Sequence, residues 1–502
     1  MARNVLIFSD GTGQIGGIRP DQRLSNVYKM YRAMRPGPSS PIDPVEQFAF
    51  YDPGLGAGET DGMTLRRVAN GVEAAIGSGI DENVIDCYEA IIANYEPGDR
   101  VLLFGFSRGA YTVRSVANVM NLCGVPTQLK DGSPVPRAGP VVRKIATDAV
   151  KYVYNHGAGK PRGEEPYFSE REEKGRRFRA KYGSAPPEGE LDVQGNVQPT
   201  FIGVFDTVAA LGNPITAWIL FGSFLTVLGV AAWCALEGWW IWSTLFGAAA
   251  AALTVRYIML RFEQWKYTSP PGRTLRYRNP GDWLEIARRG HRAYWTRKNY
   301  DRWLDSDVGH ARHALAIDER RESFARVKWA TAGEARKNEG KSPAWLSQVW
   351  FAGCHSDIGG SYPESESRLS DIALDWMVDE LRECVPLVTV RDDILHRFPD
   401  ATGLLHEETH VPGLGPLRVP WKSSPREVNP RAPLHATVLE RLAAGPVPQG
   451  DRIEPYRPPE LVGHEMTRAY YDDPDALTSP TSETFQDEPT DERSDDRATP
   501  TT

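Results

Sequence analysis

A serine between two glycines is the first residue of this chain whose setting suggests chemistry. Residues 101–111 read VLLFGFSRGAY, so an apolar run meets the pentapeptide GFSRG, and the helix-like stretch AYTVRSVANVMNLC follows. This is the G-x-S-x-G pattern of a nucleophile elbow, in the strand, sharp turn and helix that the pattern requires. Gly105 and Gly109 allow the close backbone approach of such a turn. We therefore predict that Ser107 is a catalytic nucleophile; the alternative is a packing turn.

A serine nucleophile needs a base and an acid, which in the α/β-hydrolase order follow as Asp and then His. Two later apolar runs end suitably: Asp206 comes directly after FIGVF, and His355 comes just after VWFAG. Open α/β sheets place their catalytic groups at the carboxyl ends of strands. We therefore predict Asp206 as the orienting acid and His355 as the base.

Two other residues compete for these roles. Asp357 is an alternative acid, although its position two residues after His355 favours a hydrogen-bonding group that shapes the loop. His313 is the nearest rival base. It lies in HALAIDERRESF, where we predict a helix and a structural role for the histidine.

The N-terminal stretch VLIFSDGTG resembles the D-x-D-G-T start of haloacid-dehalogenase phosphatases, but Phe8 replaces the nucleophilic aspartate. Phe cannot attack phosphorus, so this is not a phosphatase site. An oxyanion hole combines the N–H after the nucleophile, here that of Arg108, with one from a loop after another strand. Gly11 and Thr12 are therefore candidate second donors, with Asp10 organising their loop.

The elements that must position these residues follow an α/β order. IDENVIDCYEAIIANYEPGDR reads as an amphipathic helix ended by Pro97-Gly98, and it precedes the strand and elbow. A helix, a strand, an elbow and a second helix in succession are typical of α/β folds. We predict an α/β-hydrolase-like fold, with a mostly parallel sheet flanked by helices.

A hydrophobic hairpin interrupts this pattern. Residues 215–236 carry no charge, and after Glu237-Gly238 the run WWIWSTLFGAAAAALTV is uncharged up to Arg256. About 20 apolar residues span a bilayer core, so we predict two membrane helices joined by a tight turn. Arg256, Arg261 and Lys266 mark the side to which the chain returns as cytoplasmic. A buried core hairpin and an interfacial lid are the alternatives.

Composition excludes several classes of protein. The net charge is −8, but ten acidic residues and two arginines from Asp472 onward account for it, and the rest of the chain is balanced. A balanced body argues against nucleic-acid binding. The five cysteines form no CxxC pair, and no cofactor motif is present, so we expect neither a metal nor a cofactor. The first apolar run is too short for the core of a signal peptide.

These features predict four segments. Residues 1–213 form the first part of the hydrolase domain and 261–470 its second part. Residues 214–260 are the inserted transmembrane hairpin, and 471–502 are a disordered acidic tail with too little apolar content to fold.

Taken together, FSDGTG, GFSRGAYTVRS, GVFDTVAALG, HALAIDERR and WFAGCHSDIGGSYPE resemble a widespread family of uncharacterised α/β-hydrolase domains. The family includes the catalytic domain of type VI secretion phospholipase effectors. The resemblance runs from Val5 to about Tyr362. It implies a Ser-Asp-His hydrolase of esters, often phospholipids, and maps these roles onto Ser107, Asp206 and His355.

The sequence therefore predicts a membrane-associated serine hydrolase that cleaves carboxylic esters, in particular those of (phospho)lipids, through an acyl-enzyme. Its partners would be a lipid bilayer and a lipid or ester substrate, without nucleic acid. Two alternatives stay open: an esterase or thioesterase for a soluble substrate, anchored by the hairpin, and a non-catalytic membrane scaffold. A resident enzyme with a cytoplasmic catalytic domain and a secreted effector are both compatible with the sequence.

Overall fold

The computed structural model describes residues 2–11, 14, 16–17, 23–54, 79–187, 192–208, 214–270, 273–295, 300–408 and 420–472. Of residues 214–220 it describes the backbone alone. Thr12 and the predicted acidic tail from residue 473 onward lie outside the described residues.

The described strands are numbered in chain order: β1 Asn4–Ser9, β2 Gln47–Asp52, β3 Arg100–Phe106, β4 Phe201–Phe205, β5 Trp265–Tyr267, β6 Gly290–Arg292, β7 His310–Ala316, β8 Leu346–Phe351, β9 Val447–Gln449 and β10 Arg452–Glu454.

The described helices are α1 Asn26–Met34, α2 Gly79–Asn94, α3 Arg108–Cys123, α4 Pro140–Thr147, α5 Tyr167–Tyr182, α6 Pro214–Leu236, α7 Trp240–Glu263, α8 Trp283–Arg288, α9 Ala332–Lys337, α10 His355–Gly359, α11 Arg368–Cys384, α12 Ala436–Ala443 and α13 Ala469–Asp472.

Six strands form one parallel sheet in the order β2-β1-β3-β4-β7-β8. The strands are near-continuous apolar runs, because a parallel sheet is covered on both faces. Helices α2 to α5 contribute to the buried cluster on one face, and α1, α11 and α12 to that on the other. This arrangement confirms the predicted α/β class, with a mostly parallel sheet flanked by helices.

The parallel register brings the predicted chemical residues to one edge of the sheet. Ser9 at the end of β1 lies beside Gly105 in β3, and Phe106 lies beside Phe205 at the end of β4. The residues that follow these strands therefore share the carboxyl edge, where α/β sheets hold their ligands.

The prediction of a helix over HALAIDERRESF was wrong. Residues His310–Ala316 form β7, an inner strand whose side chains are almost all buried. A short apolar run that is buried on both faces has no alternation to distinguish it from a helix, which explains the error.

Helices α6 and α7 pack against each other and are joined by a turn at residues 237–239. Large apolar side chains on the described part of the pair are exposed, including Leu236, Trp240 and Ile241. The hairpin is therefore not part of the protein core, which removes the buried-core alternative. By length and composition α7 could cross a membrane, whereas the assessed part of α6, Phe221–Leu236, is shorter. The described residues thus supply one spanning candidate.

Candidate active site

Ser107 sits at a strained turn between β3 and α3. Its backbone adopts φ 59° and ψ −121°, a conformation that residues other than glycine rarely adopt. The flanking glycines are required sterically: a Cβ on Gly105 would lie 2.5 Å from the Gly109 carbonyl oxygen, and one on Gly109 would lie 2.0 Å from that of Ser9. The elbow is therefore wedged against the end of β1, and strain of this kind is concentrated at functional sites.

His355 is the first residue of α10, just after β8, and is almost fully buried. The ring of Phe106, the residue before Ser107, stacks on its imidazole with centroids 4.7 Å apart, and Phe324 contacts it edge-on at 4.9 Å. These rings hold the imidazole beside the elbow.

The two nitrogens of His355 have different surroundings. Nδ1 lies 2.5 Å from Asp206 Oδ2, whereas the buried Nε2 has no hydrogen-bond partner in the described part of the chain. The unpartnered nitrogen is the one that a general base would use. In unliganded sites the hydrogen bond to the nucleophile is often formed only when substrate binds.

Asp206 is completely buried at the end of β4 and has a positive φ of 38°. Its Oδ1 accepts a hydrogen bond from the Ala316 N–H at 3.1 Å, and Arg426 pairs with both carboxylate oxygens, Nη2 to Oδ2 at 2.8 Å. Burial alone would raise the pKa of Asp206, but the Arg426 charge and the His355 hydrogen bond hold it well below its usual range. Asp206 is therefore ionised throughout the neutral range.

Arg426 is the residue that sequence reasoning missed. Its guanidinium is buried, and it also donates to the carbonyl oxygens of Ala316 and Phe324. It lies in the stretch SSPREVNP, within a Pro- and Arg-rich region that carried no recognisable motif. One arginine among many gives no sequence signal, because its partner is 220 residues away along the chain.

Asp357, the alternative acid, is paired with a different histidine. Its Oδ1 lies 2.7 Å from His406 Nδ1, and its Oδ2 accepts from the N–H groups of Cys354 and His406 at 3.0 Å. The other ring nitrogen of His406 lies 3.3 Å from Glu366, and the ring stacks on Tyr362. Asp357 thus links the loop that carries His355 to residues 404–408. The carboxylate that contacts the His355 ring is that of Asp206.

His313, the rival base, lies in β7 and is completely buried. Its Nε2 accepts a hydrogen bond from the Thr207 N–H at 3.2 Å, and Nδ1 lies 3.4 Å from Gln348. Burial, together with the nearby charges of Arg114 and Arg326, lowers the pKa of His313 well below its ordinary value. Both ring nitrogens of His313 therefore have hydrogen-bond partners, and one of them holds the backbone N–H of Thr207, the residue after Asp206.

The predicted oxyanion donors fall into three cases. Arg108 is the first residue of α3, where leading N–H groups have no partner within the helix. A Cβ on Gly11 would lie 3.3 Å from the Ser107 Cβ, so Gly11 is adjacent to the nucleophile, but its N–H donates to Asp10 Oδ1 at 2.7 Å. Thr12 lies outside the described residues.

Asp10 is a buried organiser of that loop. Its Oδ2 accepts from Ser25 Oγ at 2.5 Å and from the Tyr51 hydroxyl at 2.8 Å. Burial raises the pKa of Asp10 to about 6, and these hydrogen bonds oppose the shift only in part. Within the described ranges, no group of three or more His, Cys, Asp or Glu residues is placed to hold a metal ion.

A family profile and one curated yeast protein match parts of this chain. The profile of the catalytic domain of Tle1-like type VI secretion phospholipase effectors matches residues 3–236 and 280–380. An uncharacterised protein of Saccharomyces cerevisiae, YEL023C, is 29% identical over 130 residues, which cover 24% of this chain and 18% of the yeast protein.

Two solved structures are also similar. An uncharacterised protein from Pseudomonas aeruginosa is 15% identical, over 79% of this chain and 48% of its own, with a TM-score of 0.32. A Tle1 effector bound to the VgrG spike of the type VI secretion system is 16% identical, over 74% of this chain and 53% of its own, with a TM-score of 0.27. The chain thus spans about half the length of these two structures and about a fifth of the yeast relative.

Proposed function

This chain belongs to the family of Tle1-like catalytic domains of type VI secretion phospholipase effectors, and from that membership we propose that it is a serine hydrolase of lipid carboxylic esters. The observation that carries the mechanism is the arrangement of His355. One of its nitrogens is fixed by an ionised, buried Asp206, and the other has no hydrogen-bond partner in the described part of the chain. The ring itself stacks on Phe106, the residue before Ser107.

Ser107 Oγ attacks the ester carbonyl carbon while His355 Nε2 takes the hydroxyl proton. The tetrahedral intermediate then collapses: the bond to the alcohol oxygen breaks, His355 returns the proton to that oxygen, and an acyl-serine remains. Water activated by the same nitrogen hydrolyses the acyl-serine and releases the fatty acid. Each proton that His355 accepts it later donates, so no cofactor is needed.

Asp206 stabilises the imidazolium that forms in each half-reaction and holds the tautomer with a proton on Nδ1. Arg426 acts on this step as a positioning residue. Its two hydrogen bonds fix the plane of the Asp206 carboxylate, and its charge offsets the cost of burying that carboxylate. The residue that makes a fully buried Asp206 tolerable is thus contributed by the C-terminal part of the chain.

The oxyanion would be bound by the Arg108 N–H and a second donor from the loop after β1. Gly11 is adjacent to Ser107, but its N–H is held by Asp10 Oδ1. Gly11 can serve only if that hydrogen bond is exchanged for one to the oxyanion when substrate binds, and Thr12 is the alternative donor.

The exposed apolar hairpin supports a lipid substrate. Leaving many large apolar side chains in water is unfavourable, and a bilayer would cover them. In our proposal α6 and α7 enter the membrane together and return the chain to the cytoplasmic side, where Arg261 and Lys266 lie. A chain delivered as an effector would use the same hairpin in the recipient membrane.

The activity is tested by comparing hydrolysis of phospholipid vesicles with hydrolysis of a short-chain soluble ester. We expect both activities in the full chain, the loss of both in Ser107→Ala, and neither loss in Ser323→Ala. The Ser323 hydroxyl makes no hydrogen bond in the described part of the chain, so it is a matched control close to the site. Hydrolysis of the soluble ester alone would favour a soluble-substrate esterase, and no hydrolysis would favour the scaffold.

The role of the hairpin is tested by deleting residues 215–258 and joining the ends with a short Gly-Ser linker. Since α6 and α7 pack side by side, their outer ends lie close together and a short loop can replace them. We expect the shortened protein to stay in solution without detergent. It should still hydrolyse the soluble ester and should no longer hydrolyse phospholipid in vesicles. A full-length chain that stays dispersed without detergent would contradict membrane association.

A further inference from the structure

The segment that follows the hairpin is strongly basic. Residues 273–292 read RTLRYRNPGDWLEIARRGHR. They contain six arginines and only two acids, Asp282 and Glu285. This excess stands out because the body of the chain is otherwise balanced in charge.

The two acids are already used by neighbouring arginines. Arg273 pairs with Asp282 and, at 3.4 Å, with Glu285; Arg289 pairs with Glu285 at 3.1 Å. Of the other four arginines, Arg292 donates to Gln264 at 3.2 Å and lies over the ring of Tyr294. The remaining three are exposed and make no ion pair among the described residues; they are Arg276, Arg278 and Arg288. Three cations are therefore available to an external anionic partner.

Large apolar side chains are interleaved with these cations. Tyr277, Trp283 and Leu284 are 55%, 58% and 65% exposed. The Trp283 indole N–H donates to the Tyr277 carbonyl oxygen at 2.7 Å, so the two residues are held together. We call these six residues, Arg276, Tyr277, Arg278, Trp283, Leu284 and Arg288, the arginine–aromatic surface.

This surface is attached to the base of the hairpin. Strand β5 begins at Trp265, two residues after α7 ends, and pairs antiparallel with β6, so that Trp265 lies opposite Arg292. Helix α8 ends two residues before β6 begins. In addition, the ring of Tyr277 contacts that of Tyr267 in β5, with centroids 5.0 Å apart. A hairpin that enters a bilayer would therefore bring the surface to the level of the headgroups.

We propose that the arginine–aromatic surface binds the anionic phospholipid headgroups of the leaflet that the hairpin enters. Trp and Tyr concentrate at membrane interfaces, where an apolar ring and a polar edge are both accommodated. Each arginine held at an anionic leaflet contributes about 1 kcal/mol, about a fivefold change in the docking equilibrium. The proposal rests on the membrane association proposed above, and it adds a preference for lipid charge.

The test uses the full chain in nanodiscs of phosphatidylcholine alone or of phosphatidylcholine mixed with phosphatidylglycerol. Backbone hydrogen exchange over residues 273–294 reports docking without requiring catalysis. We expect slower exchange in the anionic discs, and the difference should vanish at an ionic strength of about 1 M, where the screening length falls to about 3 Å.

Two triple variants separate charge at this surface from net charge. Arg276→Gln/Arg278→Gln/Arg288→Gln should remove the difference between the discs, because the docking equilibrium falls about fivefold for each arginine. Arg336→Gln/Lys337→Gln/Lys341→Gln changes net charge equally on exposed residues at and just beyond α9, and it should leave the difference intact.

The outcomes are distinct. Equal exchange in the two discs, or an unchanged difference in the first triple variant, would overturn the proposal. Protection that depends on protein concentration rather than on lipid charge would assign the surface to a second copy of the chain. A wild-type chain that does not co-purify with either disc would contradict membrane association itself, and the surface proposal would fall with it.

Discussion

Two aspartate–histidine pairs lie near the end of β8, and they differ in what the second nitrogen of each histidine does. In both pairs a ring Nδ1 lies close to a buried carboxylate, at 2.5 Å for His355 and Asp206 and at 2.7 Å for His406 and Asp357. The Nε2 of His355 has no hydrogen-bond partner among the residues that the structure describes, whereas that of His406 lies 3.3 Å from Glu366.

The carboxylates differ as well. Asp206 is paired with the Arg426 guanidinium, while Asp357 accepts two backbone N–H groups and joins two loops. An aspartate beside a histidine therefore does not by itself define a catalytic pair. A general base needs a ring nitrogen that no other group of the protein occupies, and of these two histidines only His355 has one among the described residues.

Removing each histidine in turn should have the largest effect and should separate the two pairs. His355→Ala should lower kcat on a soluble ester by about a millionfold, as expected when a triad base is lost. His406→Gln should change kcat by less than about tenfold, since it touches no reacting atom. Circular dichroism would establish that both variants are folded. Similar losses in the two variants would contradict the distinction.

The next effect concerns the acid. Asp206→Asn should lower kcat by about ten-thousand-fold, because the amide holds the wrong tautomer of His355. It should also destabilise the fold by about 3–5 kcal/mol, since the buried Arg426 charge loses its counter-ion.

The double variant Asp206→Asn/Arg426→Met separates these two losses. It should recover much of the stability in urea titrations while remaining as inactive as Asp206→Asn. Recovery of activity together with stability would show that Asp206 acts through folding alone. A greater loss from Asp357→Asn than from Asp206→Asn would transfer the role of the acid to Asp357.

Arg426→Met removes the guanidinium that pairs with Asp206, which the Asp357–His406 pair lacks. We expect kcat to fall about a hundredfold as the carboxylate loses its fixed plane. Loss of the Arg426 charge should also raise the pKa of Asp206, which that charge holds low, so the acidic limb of the kcat/KM profile should move upward.

Other charged and titratable groups face this pair. Glu319 accepts from the His355 N–H and is paired with Arg321, and His313 lies behind Asp206. Arg426→Lys leaves these groups unaltered and keeps a positive charge beside Asp206. It should therefore leave the acidic limb of the kcat/KM profile in place. A lower kcat with an unmoved limb in Arg426→Met would reduce Arg426 to a packing role.

The smallest expected effect is on the stability that the His406–Asp357 pair contributes to the fold. Burial alone would lower the pKa of His406, but Asp357 and Glu366 outweigh it and raise that pKa above its ordinary value. A raised folded-state pKa stabilises fully below the unfolded value, near 6.5, and the contribution disappears as pH rises through the folded value. His406→Gln should therefore lower Tm more at about pH 5 than at about pH 9. A larger loss at the alkaline end would contradict this sign.

The features that sequence could predict were those encoded locally. The elbow around Ser107 is a strand, a turn and a helix that follow one another directly from Arg100 to Cys123, and its glycines have a direct steric reason. The family and the α/β class were likewise predicted and are confirmed. Asp206 and His355 were predicted from strand ends, and the structure places their side chains together; their catalytic roles remain predictions.

The features that sequence could not predict depend on distant contacts. Arg426 reaches Asp206, and His406 reaches Asp357, from the C-terminal region, where no period or motif marks them. The strand at His310–Ala316 was misread as a helix because burial on both faces removes the alternation that identifies strands. Proximity along the chain was equally misleading for Asp357, which lies two residues from His355 and is bonded to another histidine.

In the proposed mechanism Ser107 is a nucleophile activated by His355. A fluorophosphonate reacts covalently only with a serine that has been activated in this way, so intact-mass analysis and peptide mapping after labelling test the claim directly. We expect one adduct on the wild-type chain, mapped to Ser107, normal labelling of His406→Gln, and none of Ser107→Ala or His355→Ala. An adduct on another residue, or equal labelling of His355→Ala and wild type, would contradict the account.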